Sequence, residues 1–140
     1  MRMSIIGWFL CSVLIAGSGG AFAACDALPT DQPLPLTIGD IKVDTDPPGA
    51  ATVGNPPVIR FNGVAIVVEP PADALLEVTL QTGSVGPVDI TATDESGAVL
   101  QKLTLVTHGS PGEITYVLAA AGASQLRFES QNNEGGIVRI

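Results

Sequence analysis

The segment Gly86–Gly109, GPVDITATDESGAVLQKLTLVTHG, decides the fold class. Val88, Ile90 and Ala92 alternate with Asp89, Thr91 and Thr93. This period of two is the pattern of a half-buried strand. A second strand is expected over Val99–Val106, but its faces are mixed, which leaves burial on both sides or a bulge as explanations. Asp94-Glu95-Ser96-Gly97 lies between the two. Gly97 stands where a type I turn followed by a left-handed residue needs no Cβ. The stretch is a β-hairpin, and the class it points to is all-β.

Outward from this hairpin, strands are expected about every 10 residues, the spacing of sandwiches and barrels. They are Ile38–Val43, Val58–Phe61, Val64–Val68, Leu75–Gln81, Ile114–Ala119, Leu126–Ser130 and Ile137–Ile140. Asn62-Gly63 reads as the turn of a second hairpin. Residues Asp44–Pro57 (DTDPPGAATVGNPP) form the longest irregular segment of the domain, and segments of this kind often carry function. No helix longer than a turn is expected. Short strands and proline-rich loops suit two packed sheets better than a closed barrel. The expected fold is therefore a two-sheet antiparallel β-sandwich of eight or nine short strands, jelly-roll-like in arrangement.

The N-terminal region has the organisation of an export signal. A basic start, Met1-Arg2-Met3, precedes the apolar run Ser4–Ala16, and Ala21-Phe22-Ala23 offers an A-x-A cleavage site. The apolar run is 13 residues long, where a membrane span needs roughly 20. Residues 1–23 are thus expected to be a removable signal peptide, 24–37 a proline-rich tether (Pro29, Pro33, Pro35) and 38–140 the sandwich domain. The expected location is periplasmic or extracellular.

Cys25 has two readings: a free thiol near the mature N-terminus, or the lipidated residue of a lipobox. Ala23-Ala24-Cys25 resembles the lipobox of bacterial lipoproteins, although Phe22 stands where that pattern has an aliphatic residue. Membrane attachment is expected only through such an anchor.

Composition excludes several function classes. The chain has a net charge of −8, and loss of Arg2 with the leader makes it −9. A field of that sign repels nucleic acid and anionic lipid. With Cys11 in the leader, only Cys25 remains, so no intramolecular disulfide can form. His108 is the sole histidine, and Ser110 beside it lacks a third orienting group. No catalytic constellation is evident, and the expectation is that the chain is not an enzyme.

The weaker candidates concern binding. Asp40, Asp44, Asp46 and Glu134 are carboxylates of the type that suits a hard cation, and calcium is the metal they would hold. Without it, no cofactor is expected. Tyr116 with Arg60 and Arg127 is a candidate ligand-binding set.

The stretches Val58–Phe61 and Ala65–Val68, the step Pro70-Pro71-Ala72 into LLEVTL, VDITATDESGAVL and the terminal SQLRFESQNNEGGIVRI carry a family resemblance. Their order resembles the galactose-binding-like jelly-roll modules, the carbohydrate-binding and discoidin-type domains of secreted bacterial proteins. Val88, Ile90, Ala92, Asp94 and Gly97 match such a module's strand and turn, and Asn132–Gly136 its last polar loop. The resemblance implies a sandwich that binds sugar, with a structural calcium where the first and last strands meet. Against the sugar reading, the expected mature chain has no Trp and only Phe61, Tyr116 and Phe128 as aromatics. The leading expectation is therefore a non-catalytic interaction or structural module that engages a protein partner or its own copies. A carbohydrate-binding module stabilised by calcium is the alternative.

Overall fold

The computed structural model describes residues 5–8, 27–73, 75–82, 87–105, 112–119 and 121–140. It is all-β. The strands are β1 (Ile5–Trp8), β2 (Leu36–Ile38), β3 (Ile41–Asp46), β4 (Ile59–Arg60), β5 (Ala65–Glu69) and β6 (Leu75–Thr82). They continue with β7 (Val88–Thr93), β8 (Val99–Leu105), β9 (Gly112–Ala119), β10 (Gln125–Ser130) and β11 (Gly136–Arg139). One sheet runs β2-β3-β5-β10-β7-β8 and the other β1-β9-β6-β11-β4. All pairings are antiparallel, and the two sheets form a β-sandwich.

The β7–β8 hairpin follows from its side chains. Val88, Ile90 and Ala92 are buried, whereas Asp89, Thr91 and Thr93 are half-buried on the other face. In the turn, Asp94 Oδ1 accepts from the backbone N–H of Ser96 and Ala98 and from Ser96 Oγ. Gly97 has φ +82°, the left-handed conformation its position requires. The mixed faces of β8 have a bulge as their cause: Ala92 pairs with Gln101, but Thr93 pairs with Val99. The strand lies at the edge of its sheet.

Two expectations about organisation change. Asn62-Gly63 makes a tight turn, with Gly63 at φ +81° and Val64 N–H donating to Phe61 O. It does not make a hairpin, because β4 pairs with β11 in one sheet and β5 pairs with β3 and β10 in the other. Phe61, 1% exposed, is inserted where the chain changes sheet. Only β2–β3 and β7–β8 are joined as hairpins among the strands from β2 onward; their other successive strands lie in opposite sheets.

The second change concerns the proline-rich stretch. Residues 27–37, expected to be a stiff tether that holds the domain off a membrane or lies along the domain's surface, are built into the sandwich. Leu28 and Leu34 belong to the core at 3% and 5% exposure, and Leu36 begins β2. Ala27 bridges Arg139, and Pro33 bridges Thr52. The expected strand Ile38–Val43 is in fact the end of β2, the Gly39-Asp40 turn and the start of β3.

Rows of inward side chains fill the space between the sheets. Val43, Ile66, Val68, Ile90, Leu126 and Phe128 from the first sheet face Ile59, Leu76, Val78, Leu80, Leu118 and Ile137 from the second. Apolar burial at about 25 cal/mol per Å² stabilises such a core. β4 and β11 approach unusually closely: a Cβ at Gly136 would lie 2.3 Å from Ile59 O and 2.8 Å from Val58 Cγ2. Only glycine allows this spacing.

Candidate functional site

Two surface features stand out, a groove beside Arg60 and the edge strand β8 of the six-stranded sheet. The groove is a half-open cavity of about 230 Å³ lined by Ala50, Ala51, Thr52, Gly54, Val58, Arg60, Asn62 and Val64. One wall is the irregular segment 47–57, shorter than the expected 44–57 because Asp44, Thr45 and Asp46 belong to β3, and hydrogen bonds hold it in place. Asp44 Oδ1 accepts from Thr45 N–H and Gly49 N–H, both at 2.8 Å. Thr45 Oγ1 accepts from Ala50 N–H at 2.9 Å and donates to Pro47 O at 2.9 Å. Leu34 N–H donates to Ala51 O, Val53 N–H to Gln32 O and Gly54 N–H to Val58 O. Val53, fully buried, anchors the wall to the core.

The opposite wall is β4 with the Asn62-Gly63 turn. Ile59 points inward, so Arg60 points outward in register with Gly136. Arg60 is exposed and makes no ion pair or side-chain hydrogen bond with any other described residue. It is the groove's only charged side chain among the described residues.

At an edge of the six-stranded sheet, β8 presents seven residues, with β7 as its neighbour among the described strands. Val99, at 55%, is the one exposed large hydrophobic side chain among the described residues. Lys102 and Thr104 are exposed on its outer face. Thr104 Oγ1 donates to Asp89 Oδ1 at 2.6 Å, and Gln131 Nε2 donates to Asp89 Oδ2 at 2.9 Å. The Thr104 bond, then the Gln131 bond, holds the Asp89 carboxyl below its ordinary pKa of 3.8. Asp94 is lowered as well, first by its side-chain bond with Ser96.

The sequence-derived candidates are dispersed. Tyr116 lies on β9 opposite Val78, is 8% exposed and belongs to the core, so its ring offers no stacking platform. Burial raises the pKa of its hydroxyl. Arg60 is three strands away in the same sheet, about 14 Å at the usual strand spacing. Arg127 is on the other sheet, pairing with Asp46 through Nη1 and with Glu129 Oε1 through Nη2 at 3.1 Å. These contacts, Glu129 foremost, hold its guanidinium more firmly protonated.

The carboxylates proposed for calcium do not converge. Asp40 is in the β2–β3 turn, Asp44 is committed to the loop, Asp46 pairs with Arg127, and Glu134 lies between β10 and β11. Among the described residues no group of three or more His, Cys, Asp or Glu side chains could hold a metal ion. Cys25, the lipidation candidate, and His108 and Ser110 lie outside the described residues. Of the expected signal peptide, only Ile5–Trp8 is described; it pairs along β9. No helix among the described residues is long and apolar enough to cross a membrane.

Sequence reasoning singled out Arg60 and the segment 44–57 separately, without joining them. Their meeting depends on the change of sheet after β4, and the Asn-Gly turn signal does not encode that change. No family model, curated protein or solved structure matches the chain, so the galactose-binding-like resemblance rests on turn and core residues alone.

Proposed function

We propose that the chain is an exported, non-catalytic interaction module of the bacterial envelope or extracellular space, which engages a protein partner or its own copies by adding a strand. The observation that carries this reading is the β8 edge, seven residues long and paired with β7 alone among the described strands. An unpaired edge presents a row of N–H and C=O groups to another chain. Lys102 and the adjacent bulge are devices that discourage indiscriminate pairing, and Lys102 favours a partner with an acidic residue opposite it. Exposed Val99 adds an apolar contact at the start of the strand. The sugar-binding alternative has less support, because Tyr116 is in the core and the arginines are apart.

Site-specific photocrosslinking in cells that export the chain tests the reading. A photoreactive residue at Val99 should trap one discrete protein or a second copy, while the same residue at Asn132, on an exposed turn away from the edge, should not. No adduct from Val99, or equal adducts from both positions, overturns it.

A further inference from the structure

We infer that the groove beside Arg60 is a binding site for a small carboxylate, independent of the β8 edge. Three observations converge there. Arg60 supplies a guanidinium with no partner among the described residues. Of the described basic residues, Lys42 and Arg127 are engaged by acids, whereas Arg60, Lys102 and Arg139 are not, and of these three Arg60 alone lines the cavity. Glu134, although it lies two residues before Gly136, the register partner of Arg60, makes no ion pair with it.

The remaining lining suits a compact acid. Ala50, Ala51, Val58 and Val64 give an apolar wall, and the Thr52 hydroxyl and Asn62 amide offer neutral hydrogen-bonding groups. Among the described residues no carboxylate lines the cavity, so an anion meets no like charge from them. A guanidinium fork matches a carboxylate with two parallel N–H···O bonds. At about 230 Å³ the space is below the range usual for drug-sized ligands, which restricts the occupant to a few heavy atoms or a single ring.

The wall is also preorganised. Segment 47–57 is fixed by Asp44 and Thr45 of β3, by Gln32 and Leu34, and by buried Val53, before any ligand arrives. Little ordering entropy is then lost on binding, which favours recognition of small molecules. A short-chain organic acid and an acidic monosaccharide share the required chemistry.

Amide-resolved NMR titration of the full-length chain distinguishes the sources and tests the site. Sodium propanoate and sodium glucuronate are the probes, with propanamide and glucose as neutral counterparts. Saturable shifts at the Thr52, Gly54, Asn62 and Val64 amides are expected for at least one acid and for neither neutral compound. If propanoate alone binds, the ligand is a free short-chain acid; if glucuronate binds more tightly, it is an acidic sugar. Arg60→Gln should weaken binding roughly tenfold or more, the usual consequence of losing a hydrogen-bonded charge. Arg139→Gln, at an exposed arginine of the same sheet outside the groove, should leave it unchanged. Absence of saturable shifts at these amides with both acids, equal binding of the neutral counterparts, or an unaltered Arg60→Gln titration overturns the inference.

Discussion

At the scale of single residues, the most constrained position is Gly136. A Cβ there would overlap Ile59 O and press on Val58 Cγ2, and the first of these is backbone that cannot rotate away. Ala in its place must push β4 from β11, weakening the pairs Gly136–Arg60 and Ile137–Ile59. Gly136→Ala is expected to destabilise the fold by about 1–3 kcal/mol, the usual cost of overpacking. It should also widen the groove, because Val58 and Arg60 move with β4. Urea denaturation measures the first effect; an unchanged midpoint would show that the strands separate without cost. Gly97 and Gly63 differ in kind, since each has open space where a Cβ would stand and is constrained by a positive φ alone.

At the scale of elements, the decisive observation is that the proline-rich stretch belongs to the sandwich. Leu34 is 5% exposed, and its N–H holds the groove wall through Ala51 O. Leu34→Ala is expected to cost about 2–5 kcal/mol, as for other buried leucines, and to raise amide exchange across residues 50–54. A thermal midpoint indistinguishable from the parent would mean that the stretch is peripheral. The same example shows what was legible in the sequence and what was not. The β7–β8 hairpin was legible because its determinants are local: alternation in Val88–Thr93 and a turn that requires Gly97. Leu28 and Leu34 were not, because isolated apolar residues among prolines have no period, and their burial depends on a bridge to Thr52 and one to Arg139. Asn62-Gly63 carried a true turn signal, but the turn chemistry is indifferent to which sheet receives the next strand. In β9, Ile114, Tyr116 and Leu118 take the inner face, and a single aromatic in a largely apolar strand does not announce which way it points.

At the scale of the whole molecule, electrostatics are set by the imbalance between 14 acidic and six basic residues. The pairs Lys42–Glu69, Arg127–Asp46 and Arg127–Glu129 are all partly exposed, and such pairs are worth little each. Self-repulsion at a net charge of −8 should therefore outweigh them at neutral pH. Raising the ionic strength from about 0.01 to 0.15 M shortens the screening length from about 30 to 8 Å, and the thermal midpoint at pH 7 is expected to rise. A fall would mean that the specific pairs dominate. Acid acts in two opposed ways. Lowering the pH toward the isoelectric point near 4.2 removes repulsion and should make the salt effect vanish. Below that, Asp89 and Asp94 enter with the opposite sign. Both carboxyls are held below 3.8 by hydrogen bonds that only the folded chain makes. Their contribution to stability is complete above the unfolded value and is lost as the pH falls through the lower folded one. Stability at low salt should thus rise as the pH falls from 7 and decline again as Asp89 and Asp94 become protonated in the fold. Asp89→Asn removes one of these carboxylates, so its curve should lie below the parent's at pH 7 and converge on it once Asp89 is protonated in the parent fold. Parallel curves that never converge would show that the Thr104 and Gln131 contacts stabilise the chain without regard to the charge on Asp89.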